Sequence, residues 1–181
     1  TPLNAMIGYS ELLLLGIPQN LPDGIRPHIE RIDLSARHLL ELIEEVLTFS
    51  RIEAGRERVH PEPVELERVM REVSAVMEPI TKQKGLQFVI DIPEQPIHFV
   101  TDPRKIRQIL LNLLGNATKF TARGHITVRA RTEGNQLQLS VEDSGIGIAP
   151  DHLEKIYEPF WQVDQGKTRA IGGTGLGLAV T

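Results

Sequence analysis

The sequence predicts an α+β chain in two parts, an antiparallel helical hairpin followed by a two-layer α/β domain. Three observations predict it. Between His28 and Ser50, residues Ile29, Ile32, Ala36, Leu39, Ile43 and Val46 recur in steps of three and four, the spacing of a helix seam. Before them, Gly16 to Pro27 holds three prolines and two glycines, which a helix does not tolerate. Beyond residue 63, helical and alternating segments interleave and end in a series of glycine-punctuated blocks.

Leu3, Met6, Ile7, Leu13 and Leu14 share one face of a first helix. In the second helix, Leu40, Leu42 and Leu47 widen the seam beyond what one hairpin partner covers. Two hairpins pairing into a four-helix bundle use that surface; burial against the helix's own domain is the alternative. Glu53-Ala-Gly55 ends the helix, and Arg56 to Pro63 reads as a charged, proline-bearing connector. The expected division is a hairpin over 1–55 and an α/β domain over 56–181. In the second part the pattern predicts a helix over Leu66 to Lys84 and a strand over Leu86 to Ile92. Asp102-Pro103 opens a further helix, with aspartate as cap and proline in the first turn. Strands follow at His125 to Arg131 and Leu137 to Glu142, joined by a turn at Gly134-Asn135, and a short helix runs from Pro150 to about Tyr157.

Composition narrows the function classes. A net charge of −4 without a long basic block argues against a nucleic-acid binder. The absence of cysteine excludes disulfides and thiolate metal sites and fits a reducing, cytoplasmic compartment. The longest aliphatic run, Leu12 to Leu15, is far short of a membrane span. No signal-peptide pattern opens the chain. Thr1-Pro2-Leu3 and Ala179-Val180-Thr181 read as the interior of something longer.

Three blocks carry the chemistry. On the helix after Pro103, Ile106, Ile109, Leu110, Leu113 and Ala117 make the expected buried stripe. Lys105, Gln108, Asn112, Asn116 and Lys119 make a neighbouring one. Asparagine is a poor helix former, and two of them one turn apart offer hard carbonyl oxygens of the kind magnesium accepts beside phosphate. Amides capping a nearby loop are the alternative. Asp143 stands where the alternation Leu137, Leu139, Val141 stops. Its carboxylate accepts hydrogen bonds only, so it suits the amino group of adenine and repels the carbonyl edge of guanine. Asp-Ser-Gly is equally a common turn, although Gly145-Ile-Gly147-Ile148 leaves room for a flat ring against the backbone. The last block, Gly172-Gly173-Thr174-Gly175-Leu176-Gly177, has no Lys-Ser or Lys-Thr after it and so is not a Walker loop. It also lacks the spacing and the early strand of a Rossmann fingerprint. A glycine turn entering a helix at Leu176 aims backbone amides at phosphates. Lys167 and Arg169, in the polar stretch before it, are placed to reach a phosphate tail.

Taken together these blocks resemble the core of a sensor histidine kinase over essentially the whole chain. Asn112 to Thr121 resembles the N box, Asp143 to Ile148 the G1 box, Tyr157-Glu-Pro159-Phe160 the F box, and Gly172 to Leu178 the G2 box. Thr1 to Leu13 is similar to the segment just after the phosphoaccepting histidine, and Ser50 to Gly55 to the end of the second dimerisation helix. The second part thus resembles a Bergerat-fold sandwich, shared with gyrase, Hsp90 and MutL ATPases. The resemblance implies ATP and Mg2+ as cofactors, with Asn116 as magnesium ligand and Asn112 as its phosphate-side neighbour. It implies Lys119 as a phosphate contact, Phe120 as a wall of the adenine pocket, and Asp143 as the adenine reader. Gly145, Gly147, Ile148, Gly173, Thr174, Gly175, Leu176 and Gly177 then shape the pocket and lid. It further implies a homodimer through the hairpin and a response-regulator receiver domain as partner, with membrane tethering of the intact protein left open.

Two departures from the family pattern stand out. The acceptor histidine belongs four residues before Thr1, and none of the six histidines present substitutes for it; His28 and His38 lie on the second helix, and His60, His98, His125 and His152 in or beside the second part. The family's strands beyond the G2 helix are absent as well. Thr1 falls one turn after the expected histidine, where relatives place a Thr or Asn that orients water for dephosphorylating the regulator. A plain helix residue before proline is the alternative. Two rival functions remain. An ATPase of the gyrase or chaperone type needs a glutamate beside an N-box asparagine, yet Leu111 and Leu113 flank Asn112, and Gly115 and Ala117 flank Asn116. A nucleotide-gated dimerisation module without kinase activity is the other.

Overall fold

A computed structural model describes residues 2–17, 22, 24–134, 136–162 and 174–181. The chain divides into two compact units, Thr1–Gly55 and Arg56–Thr181.

In the first unit, α1 (Pro2–Leu14) and α2 (Arg26–Glu53) form the hairpin. Leu3, Ile7, Leu13 and Leu14 are half-buried, whereas Met6, expected on the same face, is exposed. The buried centre of α1 is a serine instead. Ser10 donates to Asp33 Oδ1 at 2.9 Å, Asp33 Oδ2 accepts from Arg37 Nε at 2.7 Å, and Arg37 pairs with Glu11. This ladder of polar groups crosses from α1 to α2 and back. α2 stops at Gly55, whose φ of +61° is left-handed and whose N–H bonds the Ile52 carbonyl at 2.9 Å.

The second unit is built from β1 (Glu62–Glu65), α3 (Leu66–Gln83), β2 (Gln87–Asp91), β3 (His98–Thr101), α4 (Pro103–Phe120), β4 (His125–Glu133) and β5 (Gln136–Asp143), then two 3-10 turns at Pro150–His152 and Lys155–Tyr157. β2 pairs parallel with β4 and β4 antiparallel with β5, while β1 and β3 form a separate antiparallel pair. β1 takes over the end of the expected connector, and β3 lies between the expected strand ending at Ile92 and Asp102, where the sequence suggested no element. Each is only four residues long, and Val64 pairs with Phe99 across 35 positions of chain, so no local alternation announces them. The short helix expected over Pro150 to Tyr157 is likewise two separate turns.

One layer of the core is α3 and α4, the other the inner face of the three-stranded sheet. Leu66, Val69, Met70, Val73 and Met77 from α3 and Leu110, Leu114 and Ala117 from α4 meet Ile126, Val128 and Ala130 of β4. Leu114, fully buried, takes the place the stripe assigned to Leu113, which is half-buried. At the far end of α3, Gly85 at φ +68° closes a Schellman turn, with the Leu86 N–H bonding the Thr81 carbonyl at 2.9 Å. Lys84 Nζ then donates to the Thr118 carbonyl at 2.9 Å and ties the ends of α3 and α4 together. Among the described residues no helix is long and apolar enough to cross a membrane.

Candidate nucleotide site

The carboxyl-terminal half of α4 is where the three blocks converge. Asp102 starts this helix: its Oδ1 accepts the Arg104 N–H at 3.0 Å, and Pro103 follows in the first turn, where its missing N–H costs nothing. Lys105, Gln108, Asn112, Asn116 and Lys119 are all half-buried. A stripe that merely met solvent would be exposed along its length. The amide nitrogen of Asn112 donates to the Gly177 carbonyl at 3.4 Å, joining residues 65 positions apart. Asn112 therefore uses its donor end on the last glycine block and keeps its carbonyl oxygen as the acceptor end. Asn116 stands one turn further along the same face. Lys119 places its ammonium 4.9 Å from the centre of the Phe120 ring, a cation–π contact the sequence did not suggest.

The second block joins at the end of α4. Asp143, the last residue of β5, accepts the Gly145 N–H at 2.8 Å and the Thr121 hydroxyl at 3.3 Å, both on Oδ1. The turn and the carboxylate site, weighed as alternatives from sequence, therefore share one residue: Oδ1 closes an Asx turn. Thr121 is buried directly after α4, and sequence reasoning gives it no role because its partner lies 22 positions away. Gly145 is required by space: a methyl group there would lie 2.6 Å from the Phe120 carbonyl oxygen and 2.7 Å from Asp143 Oδ1. Gly147 is required instead by its φ of +68°, since nothing crowds it. Ile148 is exposed beside it.

In the third block the Thr174 hydroxyl accepts the Leu176 N–H at 3.1 Å and Leu176 is fully buried. Gly175, at φ +74°, leaves no room for a side chain, because a methyl would sit 2.7 Å from the Phe160 carbonyl carbon and 2.8 Å from the Trp161 oxygen. Its carbonyl accepts the Phe160 N–H at 3.0 Å, and Phe160 itself takes a φ of +65°. This clasp between the F-box residues and the last glycine block was not foreseen. It needs a left-handed phenylalanine, which no sequence rule suggests. The helix expected from Leu176 is a single closed turn, with the Val180 N–H on the Leu176 carbonyl at 3.0 Å. Thr1, Lys167, Arg169 and Gly173 lie outside the described residues.

No group of three or more His, Asp or Glu residues able to hold a metal occurs among the described residues. A magnesium ion bound beside Asn116 would meet a neutral amide oxygen and draw its remaining ligands from phosphate and water, which is how that ion is commonly held. Of the histidines, His60 contributes its backbone N–H to Asp102 at 3.0 Å, and His152 packs edge-on against Trp161 with centroids 5.2 Å apart.

Comparison with known families covers both units. Residues 1–55 match the His Kinase A phospho-acceptor domain, and residues 101–181 match the histidine kinase-, DNA gyrase B-, and HSP90-like ATPase domain. An uncharacterized sensor-like histidine kinase of Rhizobium meliloti is 39% identical over 99% of the chain. The chain belongs to the sensor histidine kinases. Relatives in the same range include sensor histidine kinase RcsC of Escherichia coli, 36% identical over 99% of this chain. The non-motile and phage-resistance protein of Caulobacter vibrioides is 40% identical over the full chain. The chain spans 35%, 19% and 22% of the length of these three relatives. Among solved structures, full-length ShkA in complex with AMPPNP superposes with a TM-score of 0.81 at 34% identity, over 99% of this chain and 36% of that one. Histidine kinase AdeS of Acinetobacter baumannii gives 0.66 at 26% identity, over 99% of this chain and 82% of that one.

Proposed function

We propose that this chain is the core of a histidine kinase that binds Mg-ATP against α4 and delivers its γ-phosphate to a histidine of the dimerisation hairpin, four residues ahead of Thr1 in the longer protein. Relay to an aspartate of a response-regulator receiver domain comes next. The observation that carries the reading is the convergence on one helix: Asn112 on Gly177, Phe120 against Gly145, and Thr121 on Asp143. A purely structural helix has no use for two glycine-bearing turns gathered on its polar face and at its carboxyl end.

Each role is set by the atoms a group has left to give. Asp143 has Oδ1 engaged in its turn, and Oδ2 receives the adenine amino group. Gly145 and Gly147 let the ring lie on the backbone, with Phe120 and Ile148 as apolar walls. The carbonyl oxygens of Asn112 and Asn116 face the phosphate side, Asn116 as the magnesium ligand, and Lys119 balances the phosphate charge. Bound magnesium supplies charge neutralisation to the phosphoryl group. Thr174, Gly175 and Gly177 present backbone amides, with the Leu176 amide held by the Thr174 hydroxyl as the brace of that turn; Gly173, Lys167 and Arg169 are assigned to the same phosphate contacts from their places in the sequence. Catalysis is then positioning and electrostatic stabilisation, with little covalent work for the protein. Thr1 is assigned to the opposing hydrolytic reaction, orienting the water that releases inorganic phosphate from the phosphorylated regulator.

The dimer reading rests on the hairpin's outer surface. Tyr9 on α1 is 70% exposed and Ile43 on α2 44% exposed, with Met6, Ile32, Leu39 and Val46 exposed beside them. A second copy of this hairpin, forming a four-helix bundle in the cytoplasm, is the occupant that covers an apolar seam at heptad spacing. The experiment uses the longer chain, including the residues before Thr1, and γ-labelled Mg-ATP. Label on the protein that is acid-labile and alkali-stable identifies phosphohistidine. Bound ATP without such label points to an ATPase or a silent nucleotide switch, and phosphate release separates those two.

A further inference from the structure

Two ties fasten the stretch after Gly55 to the first turn of α4. Glu57 pairs with the Lys105 ammonium, the side chains 25% and 28% exposed. Three residues on, the His60 backbone N–H donates to Asp102 Oδ2 at 3.0 Å. The other oxygen of that carboxylate caps α4 by accepting the Arg104 N–H at 3.0 Å. Asp102 is only 2% exposed, so a carboxylate there is tolerable only with its hydrogen bonds filled. The His60 amide, then the Arg104 amide and guanidinium, hold its pKa below the ordinary carboxylate value against the opposing effect of burial. One buried group thus serves two segments at once, and releasing either leaves it underbonded.

Those ties bear on the amide helix. Lys105 opens the half-buried stripe that continues through Gln108 to Asn112 and Asn116. A hydrogen-bonded helix moves as a unit, so a shift of its first turn is a shift of the amides, and reaction geometry is sensitive to displacements of about 1 Å. The stretch from Arg56 to His60 is also the covalent continuation of α2. Resting on the nucleotide reading above, we infer that Asp102 and the Glu57–Lys105 pair are positioning groups. They couple residues 56–60 to α4, so that nucleotide on Asn112 and Asn116 and docking of this connector strengthen each other. The coupling is reciprocal by thermodynamic necessity. Whatever draws the connector away from α4 loosens nucleotide binding, and bound nucleotide holds the connector down.

The test is a charge-reversal cycle in the whole chain, Glu57→Lys, Lys105→Glu and the two combined, with His60→Pro as an independent variant. His60→Pro deletes the N–H that Asp102 accepts and leaves the cap of α4 in place. Mg-ADP affinity and amide hydrogen exchange of Arg56 to His60 are measured for each. In the wild type, Mg-ADP slows exchange across the connector. Each single reversal and His60→Pro weaken Mg-ADP about fivefold, the lower end of ordinary coupling, and remove the protection. The double reversal restores both, which a direct effect of the Lys105 charge on phosphate does not allow. Unchanged affinity in the single variants, connector exchange indifferent to Mg-ADP, or a double reversal that fails to rescue would each overturn the inference. A wild type that binds no Mg-ADP overturns the nucleotide reading, a separate result from binding without coupling.

Discussion

Asp143 Oδ1 sits 2.8 Å from the Gly145 amide nitrogen, so the carboxylate read as a base-recognising group is also the lock of its own turn. The two duties fall on different oxygens and can be separated by substitution. Asp143→Asn keeps an acceptor for Gly145 and Thr121 but turns the second position into a donor, which opposes the adenine amino group. ATP affinity falls at least about tenfold, or ~1.4 kcal/mol, while the melting temperature stays close to wild type. Asp143→Ala loses both duties, and its melting temperature falls too. Calorimetric titration and a thermal melt of the three proteins read the difference.

Gly175 and Gly177 make a second contrast. A methyl at Gly175 would press on the Phe160 and Trp161 backbone from a left-handed residue, whereas one at Gly177 meets nothing within 4 Å. Left-handed backbone alone costs a non-glycine residue roughly 1–2 kcal/mol. Gly175→Ala is expected to lower the denaturation midpoint and abolish nucleotide binding together. Gly177→Ala leaves the midpoint nearly unchanged.

The hairpin ladder has a pH signature. Arg37 and then Ser10 hold the Asp33 carboxyl below its ordinary value of 3.8. A depressed folded pKa contributes stability that is fully present above the unfolded value and is lost as pH falls through the folded one. Below about pH 4 the wild type therefore loses stability that Asp33→Asn never had. Denaturant midpoints of the two proteins converge on acidification and separate again towards neutral pH. Curves that stay parallel from pH 7 to 3 would count against the ladder.

Much of the site was legible in the sequence. The helix from Pro103, its Asp102 cap and the order of the three blocks come from local rules, because caps, helix periods and glycine turns are encoded within a few residues. The illegible part is non-local. β1 and β3 owe their existence to each other, Thr121 its hydrogen bond to a carboxylate at the end of β5, and the clasp of Phe160 to a glycine 15 positions on. Side-chain economy was hidden too: Asn112 uses its donor on Gly177, and Lys119 rests on Phe120. Helical periodicity placed both residues on the polar face but could not say which atom each would use.

The core of the second unit should report on the site. Leu114 is fully buried beneath the amide stripe, and Leu114→Ala is expected to cost about 2–5 kcal/mol. Chemical denaturation with and without Mg-ATP checks it, since ligand partly restores a destabilised fold that still binds.

Ile43→Glu places a charge in the apolar seam of α2 and leaves the second unit intact. Sedimentation is expected to convert a dimer into a monomer, with ATP affinity unchanged. A dimer that survives the substitution would move the contact away from this face.

The most direct measurement titrates the wild-type chain with Mg-ATP and with Mg-GTP, alongside Asp143→Asn and Asn116→Ala. The account predicts saturable binding of ATP, discrimination against GTP that is lost with Asp143, and a magnesium dependence that is lost with Asn116. Absence of saturable ATP binding, or binding indifferent to both substitutions, would contradict it.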